Sequence, residues 1–382
     1  MTFPTIRHLA DLVPFIEGNP QFRIQEQPNG TTVVCYMLQD EDTFTGDNEE
    51  FAKECRGITF NTSTGEVLSR TLHKFKNVGE SEETQSDKIP WDDIVRIMDK
   101  RDGSMITFVE LDGKIVGKTK KTFTSAEAVA ATEFLYADPL RVEWVRNLLQ
   151  QGFTPTFEWT SPRFPIVLTY EKDELTLLQI RENASGTYIT SLGEGGKFTK
   201  NCPFPIVENL MTSSDPDLPV VIRENPRWLL EMAKTAEGIE GWIIQASDGE
   251  MWKIKTKWYC DLHHSVTFTR WRDVARVVLD DKSDDLKAAF AMTGRAIEPI
   301  LEVERKIFST IEKARLLAEE HAGLGKGFQR TPKDMALAYK DHELFGQIMR
   351  LFRDQEVNWL EWYTKRHLDS WSLEVIQAGV TE

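Results

Sequence analysis

Short apolar runs bounded by turn residues dominate the first two-thirds of the chain. Ile94–Met98, Met105–Val109 and Ile166–Tyr170 are examples, and their β-branched and aromatic content is typical of β-strands. Segments with helical spacing lie between such runs, and Asp138 before a proline supplies the N-terminus of one helix. The pattern predicts an α+β fold of antiparallel sheets with flanking helices over residues 1–264.

The pattern changes after about residue 265. Apolar residues then recur every three or four positions, as in 274–278 and 301–318, which is the period of amphipathic helices. Residues 265–382 are therefore predicted to form a separate all-helical domain. The stretch Gly323–Gly327 lacks both the spacing of a phosphate-binding loop and a preceding strand, so we predict a loop between helices there.

Composition narrows the class of protein. A chain of 382 residues with 11 Trp and 40% hydrophobic residues can bury two cores. No apolar run approaches the ~20 residues of a membrane-spanning helix, and the N-terminal segment does not resemble a secretory signal. The 4 Cys are scattered without C-x-x-C spacing, which favours reduced thiols over a disulfide or zinc framework. We expect a cytoplasmic protein without a membrane partner.

Charge is distributed unevenly along the chain. The net charge of −15 argues superficially against a nucleic-acid partner, because phosphate contacts need Lys and Arg. Lys118 and Lys120 nevertheless form one basic cluster, and Lys253, Lys255 and Lys257 alternate along a strand-like run. Alternation would place the last three on one face of a strand. Such a row is usually a solvated face, but the neighbouring motifs favour a phosphate site.

Lys100 opens the sequence Lys-Arg-Asp-Gly-Ser between the first two apolar runs named above. A nucleophilic lysine must be held rigidly, stay partly unprotonated and lie open to its substrate. A tight connection between strands meets the first and last of these demands, and Gly103 permits close approach of a ligand. Taken alone, however, the motif could equally be an exposed lysine beside a turn.

The Lys-x-Asp-Gly motif resembles the nucleotidyl-lysine motif of covalent nucleotidyltransferases, and later segments resemble the other motifs of that superfamily in order. The resemblance implies that Lys100 is the nucleophile that becomes linked to AMP. It implies that Glu158 contacts the ribose and that Glu240 helps to place a metal ion. Lys253 and Lys255 would contact the α-phosphate, and neighbouring cations of this kind favour the neutral form of a lysine.

Features on either side narrow the resemblance to ATP-dependent RNA ligases of the RNA ligase 1 type, which include phage tRNA-repair enzymes. Glu54–Ile58 and His73–Asn77 resemble the segments that contribute an arginine and a lysine to the ATP site. A strand-borne tyrosine and two lysines at the family's spacing complete the implied nucleotide-binding set. That set is Tyr36, Arg56, Lys74, Lys118, Lys120, Glu158, Lys253 and Lys255.

Two residues beyond the fifth motif extend the implied site. Tyr259 matches a tyrosine on which catalysis depends in the family, and Asp284 matches an aspartate that reaches a metal ion. Asp284 could instead be a first-turn acid of a helix capped by Ser283, and Asp285 could take its place. The implied cofactors are ATP and Mg²⁺, with Mn²⁺ as an alternative metal.

The resemblance implies an ATP-dependent RNA ligase that seals 5′-phosphate and 3′-hydroxyl ends through a lysyl-AMP intermediate. The implied substrate is RNA, chiefly tRNA with a broken anticodon loop that the helical domain selects. The implied partner is an end-healing polynucleotide kinase–phosphatase, and the implied location is the host cytoplasm if the gene comes from a bacteriophage.

Two alternatives remain. A DNA ligase or capping guanylyltransferase would use the same chemistry, but an OB-fold usually follows the fifth motif in those enzymes, and helices are predicted here. A tRNA-binding protein without catalytic activity should have lost some of the motif residues, yet Lys100, Glu158 and Glu240 are all present.

Overall fold

The computed structural model describes residues 3–19, 21–37, 43–192, 196–213, 218–260, 271–280, 283, 286–287, 290 and 296–371. The chain divides into two compact units, residues 1–266 and 267–382. The first combines antiparallel sheets with helices, and the described part of the second is helical. The α+β fold followed by helices that the hydrophobic pattern predicts is therefore confirmed.

The described part of the first unit contains three antiparallel sheets. Their strand orders are β1-β2-β3-β4 (sheet I), β11-β10-β5 (sheet II) and β7-β6-β8-β9 (sheet III). The strands are Phe22–Glu26 (β1), Thr31–Tyr36 (β2), Arg56–Asn61 (β3), Val67–Ser69 (β4), Ile94–Asp99 (β5), Ser104–Leu111 (β6), Lys114–Lys118 (β7), Phe153–Thr160 (β8), Glu174–Glu182 (β9), Gly241–Ala246 (β10) and Met251–Lys255 (β11).

Helices cover one face of sheet III. The helices of the first unit are Val13–Ile16, Glu49–Glu54, Ala126–Tyr136, Pro139–Gln150, Leu218–Glu224 and Trp228–Thr235. Ile106 and Phe157 of sheet III share a core with Leu135 and Leu148 of the two middle helices. Because side chains alternate along a strand, the remaining positions of β6 and β8 point to the opposite face, which is free to carry polar residues.

A buried ion cluster ties sheet III to the segments around sheet I. The carboxylate of Glu54 accepts a hydrogen bond from Nε of Arg70 at 2.9 Å. It accepts two more from the guanidinium group of Arg181, at 2.6 and 2.8 Å. Burial alone would raise the Glu54 pKa, but the two guanidinium groups more than offset it and hold that pKa at about 2. We call Glu54, Arg70 and Arg181 the Glu54 ion cluster. Glu54 opens a segment that was noted for Arg56, but nothing in the sequence predicted that Glu54 pairs with these two arginines.

The segment Ile166–Tyr170 is not a strand, contrary to the prediction. Its backbone N–H groups at Val167 and Leu168 donate to Oδ2 of Asp102 at 2.8 and 2.6 Å, so they are not available to a neighbouring strand. The apolar side chains produced the strand-like pattern, whereas a carboxylate distant in sequence determines where the backbone lies.

The helices of the second unit are Trp271–Leu279, Glu298–Gly327, Pro332–Tyr339, Phe345–Phe352 and Trp359–His367. The prediction of a loop at Gly323–Gly327 is wrong, because these residues belong to the end of the second of these helices. A Cβ at Gly325 would lie 2.4 Å from Sδ of Met335. The small residue therefore serves close packing between helices. Within the described chain, no helix has both the length and the apolarity needed to cross a membrane.

Candidate active site

Lys100 follows β5 directly and is joined to the start of β10. Its backbone N–H donates to the carbonyl of Gly241 at 2.9 Å. Its Nζ lies 2.6 Å from Oε1 of Glu240, and Nζ of Lys255 lies 3.1 Å from the same oxygen. The side chains of Glu240 and Lys255 are buried, whereas that of Lys100 is 19% exposed. One carboxylate oxygen therefore holds two lysines, and the candidate nucleophile is the more accessible of the two.

The register of sheet II places two of the three predicted lysines on one face with Lys100. Lys253 pairs with Ile243, and Lys255 pairs with Gly241 opposite Lys100. Paired residues of antiparallel strands share a face, so both lysines project to the side of the nucleophile. The predicted row of three is wrong, because β11 ends at Lys255 and Lys257 begins a helical turn.

Glu158 is a second buried carboxyl group beside Lys100. It lies on β8, and its Oε1 accepts a hydrogen bond from the N–H of Gly103 at 3.1 Å. Burial raises the pKa of Glu158 to about 8, with Lys100 opposing the rise and Glu240 adding to it. Near neutral pH the carboxyl group is therefore mainly protonated, and it can donate as well as accept a hydrogen bond.

Asp102 anchors the loop that follows Lys100. Its Oδ2 accepts the two backbone N–H groups of residues 167 and 168 described above, and its Oδ1 accepts the hydroxyl of Tyr259 at 2.8 Å. Its own N–H donates to the hydroxyl oxygen of Tyr170 at 3.0 Å. Tyr259, predicted as catalytic, thus contacts the nucleophile loop from a buried position. The sequence motif includes Asp102, but nothing in the sequence identified Tyr170 as its partner.

Gly103 and Arg101 complete the nucleophile loop. A Cβ at Gly103 would lie 2.3 Å from the carbonyl oxygen of Trp159, so a larger residue would displace the loop from β8. Arg101 lies with its guanidinium carbon 5.1 Å from the ring centre of Tyr170 and Nη2 3.2 Å from Glu174. The loop is therefore held on both sides by sheet III and by the segment that precedes β9.

A cluster of aromatic rings and cations lies at the end of β2. Nζ of Lys120 is 4.1 Å from the ring centre of Tyr36. Nζ of Lys74 is 5.7 Å from the ring of Tyr36 and 5.8 Å from that of Phe44. Three predicted nucleotide-binding residues, Tyr36, Lys74 and Lys120, are thus brought together, and Phe44 joins them without having been predicted. Cation–π contacts of this kind hold lysines in place without neutralising their charge.

Phe75 lies between an arginine of β3 and a lysine of β11. Its ring centre lies 5.4 Å from the guanidinium carbon of Arg56 and 5.5 Å from Nζ of Lys253. The positive charge of Arg56 also lowers the pKa of Glu158, but the opposite effect of burial is larger. The predicted arginine and the fifth-motif lysine therefore lie around one ring. Phe75 directly follows the predicted Lys74 in the segment His73–Asn77, which was the only sequence signal for it.

Lys118 is placed deeper than a surface phosphate ligand would be. It is fully buried, and its Nζ donates to the carbonyl of Gly57 at 2.9 Å. Burial lowers the pKa of Lys118 to about 8. Gly57 has φ of +97°, and a Cβ there would lie 2.2 Å from the carbonyl oxygen of Lys120. Only glycine therefore allows the two-lysine segment to approach β3 this closely.

The donor set fits a hard divalent ion that is bound mainly through a nucleotide. Among the residues that the structure describes, no group of three or more His, Cys, Asp or Glu side chains could hold a metal. The carboxylate of Glu240 nevertheless lies beside Lys100 and Lys255, and Mg²⁺ commonly takes one or two carboxylates with phosphate and water as its other ligands. Asp284 and Asp285 lie outside the described residues.

Comparison with known proteins gives a consistent match. A family model described as RNA ligase matches residues 54–259. A Thermovibrio ammonificans protein named "Putative RNA ligase" is 28% identical over 348 residues, which cover 89% of this chain and 85% of that protein. RNA ligase 1 of bacteriophage TS2126 is 26% identical, covering 74% of this chain and 69% of the phage protein.

Among solved structures, an archaeal ATP-dependent RNA ligase is similar with a TM-score of 0.46 and 15% identity. The match covers 78% of each chain. The span matched by the family model begins at Glu54 and ends at Tyr259. It contains Lys100 and both carboxyl groups that flank it.

Proposed function

Because the chain belongs to the RNA ligase family and is an ATP-dependent ligase enzyme, we propose that it joins RNA ends through AMP linked to Lys100. The observation that carries the proposal is the accessibility of Lys100 in a cluster whose other charged groups are buried. A nucleophile must meet its substrate, whereas groups that only stabilise charge work best away from water.

In the first reaction, Nζ of Lys100 attacks the α-phosphorus of ATP. The new N–P bond forms as the bond to the β-phosphate oxygen breaks, and pyrophosphate leaves. The proton of the amine passes to a nearby acceptor, and Oε1 of Glu240 already lies 2.6 Å from Nζ. Lys253 and Lys255 lie on the same face of sheet II, where they can stabilise the charge that develops on the α-phosphate oxygens.

In the second reaction, an oxygen of the RNA 5′-phosphate displaces Lys100 from AMP and forms a phosphoanhydride. In the third, the RNA 3′-hydroxyl attacks that 5′-phosphate and AMP leaves. The covalent intermediate divides one difficult condensation into phosphoryl transfers, each with a good leaving group. Lys100 regains its proton and is ready for another cycle.

The remaining predicted residues receive roles that match their surroundings. Arg56, Lys74 and Lys120 would bind the leaving phosphates of ATP, with Tyr36 holding the two lysines in place. Mg²⁺, or Mn²⁺ in its place, would be held by Glu240 together with the phosphates, and it supplies positive charge against the phosphate oxygens. By resemblance, Asp284 would contribute to the same ion.

We propose tRNA with a broken anticodon loop as the RNA substrate, with the helical unit selecting it in the cytoplasm. Sealing requires a 5′-phosphate and a 3′-hydroxyl, so a kinase–phosphatase must first supply these ends when cleavage leaves others. A ligation panel of nicked tRNA, linear single-stranded RNA, nicked duplex RNA and DNA tests the substrate. Equal sealing of tRNA and linear RNA by the full chain would contradict the assigned selectivity.

Labelling with α-³²P-ATP and Mg²⁺, followed by a denaturing gel, tests the covalent step. The wild-type protein should retain label, and Lys100→Ala should retain none, because the variant lacks the amine that attacks the α-phosphorus. Lys114→Ala changes an exposed lysine of β7 and should label normally. A labelled Lys100→Ala protein would refute the assignment, and labelling by GTP in place of ATP would favour a capping enzyme.

A further inference from the structure

Sheets II and III contact each other through three buried polar side chains. Gln179 of β9 donates from Nε2 to Oε1 of Gln245 of β10 at 2.9 Å, and Nη1 of Arg96 of β5 lies 3.5 Å from the same oxygen. Their exposed fractions are 1%, 0% and 3%. We call these three residues the glutamine cluster. It is a polar contact in the interior, where two sheets would ordinarily meet through apolar side chains.

Arg96 determines which way both amide groups point. A guanidinium has only donors, so Gln245 must turn its oxygen toward Arg96. That oxygen can then receive only a donor from Gln179, which must present its nitrogen. The two atoms left over are Oε1 of Gln179, an acceptor, and Nε2 of Gln245, a donor. Neither has a hydrogen-bond partner among the described residues.

The arrangement is costly if it serves packing alone. Each buried polar group without a partner destabilises the folded protein, because its hydrogen bond to water is lost and not replaced. Arg96 adds to the cost, because burial lowers its pKa to about 10 and no acidic group offsets that effect. Within the described chain no carboxylate forms an ion pair with Arg96, whereas Arg70 and Arg181 both have Glu54. A ligand that uses the two spare amide atoms would offset part of the cost.

The spare atoms belong to a longer polar strip across sheet III. Thr107, Thr156 and Gln179 are paired in register across β6, β8 and β9, so their side chains share a face. The hydroxyl oxygens of Thr107 and Thr156 also have no hydrogen-bond partner among the described residues. Lys118 continues the strip on β7, opposite Thr107. This is the face that meets Gln245, and it is opposite the helix-covered core.

The glutamine cluster lies on the nucleophile's side of sheet II. Lys100, Met98 and Arg96 alternate along the chain and share one face. At about 3.3 Å per residue, Arg96 is ~13 Å from Lys100 along the strand direction. Met98 and its strand partner Ile243 lie between them. Met98 is buried, and its Sδ lies 3.6 Å from Nε2 of Gln179. The distance suits a nucleotide whose phosphate is at Lys100 and whose base reaches inward toward the glutamine cluster.

We propose that the glutamine cluster reads the adenine base of ATP and so sets the nucleotide specificity of the ligase. Oε1 of Gln179 accepts from the 6-amino group, and Nε2 of Gln245 donates to the adjacent ring nitrogen. Adenine presents a donor next to an acceptor along this edge, whereas guanine presents an oxygen acceptor in place of the amino donor. Arg96 is a positioning residue that keeps both amides in the adenine-reading orientation. The inference rests on the proposed nucleotidyl transfer to Lys100.

The test compares the kcat/KM of covalent labelling for ATP, purine riboside triphosphate and GTP. Purine riboside triphosphate lacks only the 6-amino group. The wild-type protein should prefer ATP to this analogue by at least ~10-fold, because a buried acceptor would be left unpaired. Gln179→Met keeps the side-chain length but removes the acceptor. It should lower kcat/KM for ATP by about 10-fold and change the value for the analogue little.

Two further variants separate base reading from general damage. Arg96→Met should reduce the ratio of ATP to analogue, since Gln245 can then turn its amide, and Arg96→Lys should restore much of that ratio. Gln151→Met changes an exposed glutamine at the end of the helix Pro139–Gln150 and should leave the ratio as in the wild type. A purely structural role of Arg96 would lower all rates together and leave the ratio unchanged.

The outcomes are distinguishable from failure of the proposed function. Equal kcat/KM for ATP and the analogue in the wild type would overturn the inference and leave buried water as the occupant of the cluster. The comparison of these two nucleotides uses only the wild-type protein, so its result does not depend on whether a variant folds. Equal losses with both nucleotides in Gln179→Met would also overturn it. If the wild type takes no label from any of the three nucleotides, the proposed function fails and the inference fails with it.

Discussion

The first unit contains two groups of buried charges that are balanced in different ways. In the Glu54 ion cluster, one carboxylate receives hydrogen bonds from two arginines, and its pKa is held at about 2 despite burial. Around Lys100, Oε1 of Glu240 is shared by two lysines, while burial raises the pKa of nearby Glu158 to about 8.

The difference indicates what each group is for. A buried cluster whose charges are paired contributes to folding stability as a unit, because removing one partner leaves an uncompensated buried charge. The group around Lys100 brings Lys253 and Lys255 together on the nucleophile's face of sheet II. Lysines gathered on one face suit a site that binds phosphates. Stability should therefore depend mainly on the first group and nucleotidyl transfer on the second.

The largest effect is expected from breaking the Glu54 ion cluster. Arg181→Met should lower the free energy of unfolding by about 3–5 kcal/mol, because the Glu54 charge then loses its bidentate partner inside the protein. Chemical denaturation of the nucleotide-free protein measures this change. Arg163→Met is the matched control, since its ion pair with Asp173 is exposed and should contribute little. Similar losses in both variants would contradict a special role for the buried cluster.

The second prediction removes a lysine from the charged residues around Lys100. Lys255→Ala should slow formation of the labelled protein by ~10²–10³-fold, as expected for loss of one contact to the developing charge. Its melting temperature should change much less than that of Arg181→Met. Lys257→Ala, two residues later and exposed, should label at the wild-type rate. If Lys255→Ala labels normally, the lysines of β11 have no part in phosphate binding.

A smaller effect concerns Glu158 and has a definite pH dependence. Its pKa rises from 4.5 in the unfolded reference to about 8 on folding. Between these values the unfolded chain loses a proton that the folded protein keeps, so wild-type stability falls as pH rises. Glutamine does not titrate, so the stability of Glu158→Gln should not show this decrease with pH. The wild-type melting temperature relative to the variant should therefore decline between about pH 4.5 and 8 and level off above. A constant difference across that range would contradict the raised pKa.

Much of the local structure and of the chemistry followed from the sequence. The runs before and after Lys100 form β5 and β6, and Asp138 caps its helix by accepting from the N–H of Leu140. Lys253 and Lys255 share a face because they lie two residues apart on a strand. Periodicity, capping and spacing depend on residues close together in the chain, so they can be read without tertiary information.

Tertiary structure alone decided which distant groups meet. Two backbone N–H groups of the segment 166–170 are directed to Asp102 rather than to a strand. Phe75 is placed between Arg56 and Lys253, and Gln179 against Gln245. No local pattern encodes these contacts, because each joins segments whose relative position depends on how the sheets pack. The sequence determined which residue types were available for chemistry, and the packing of the three sheets determined which of them share one site.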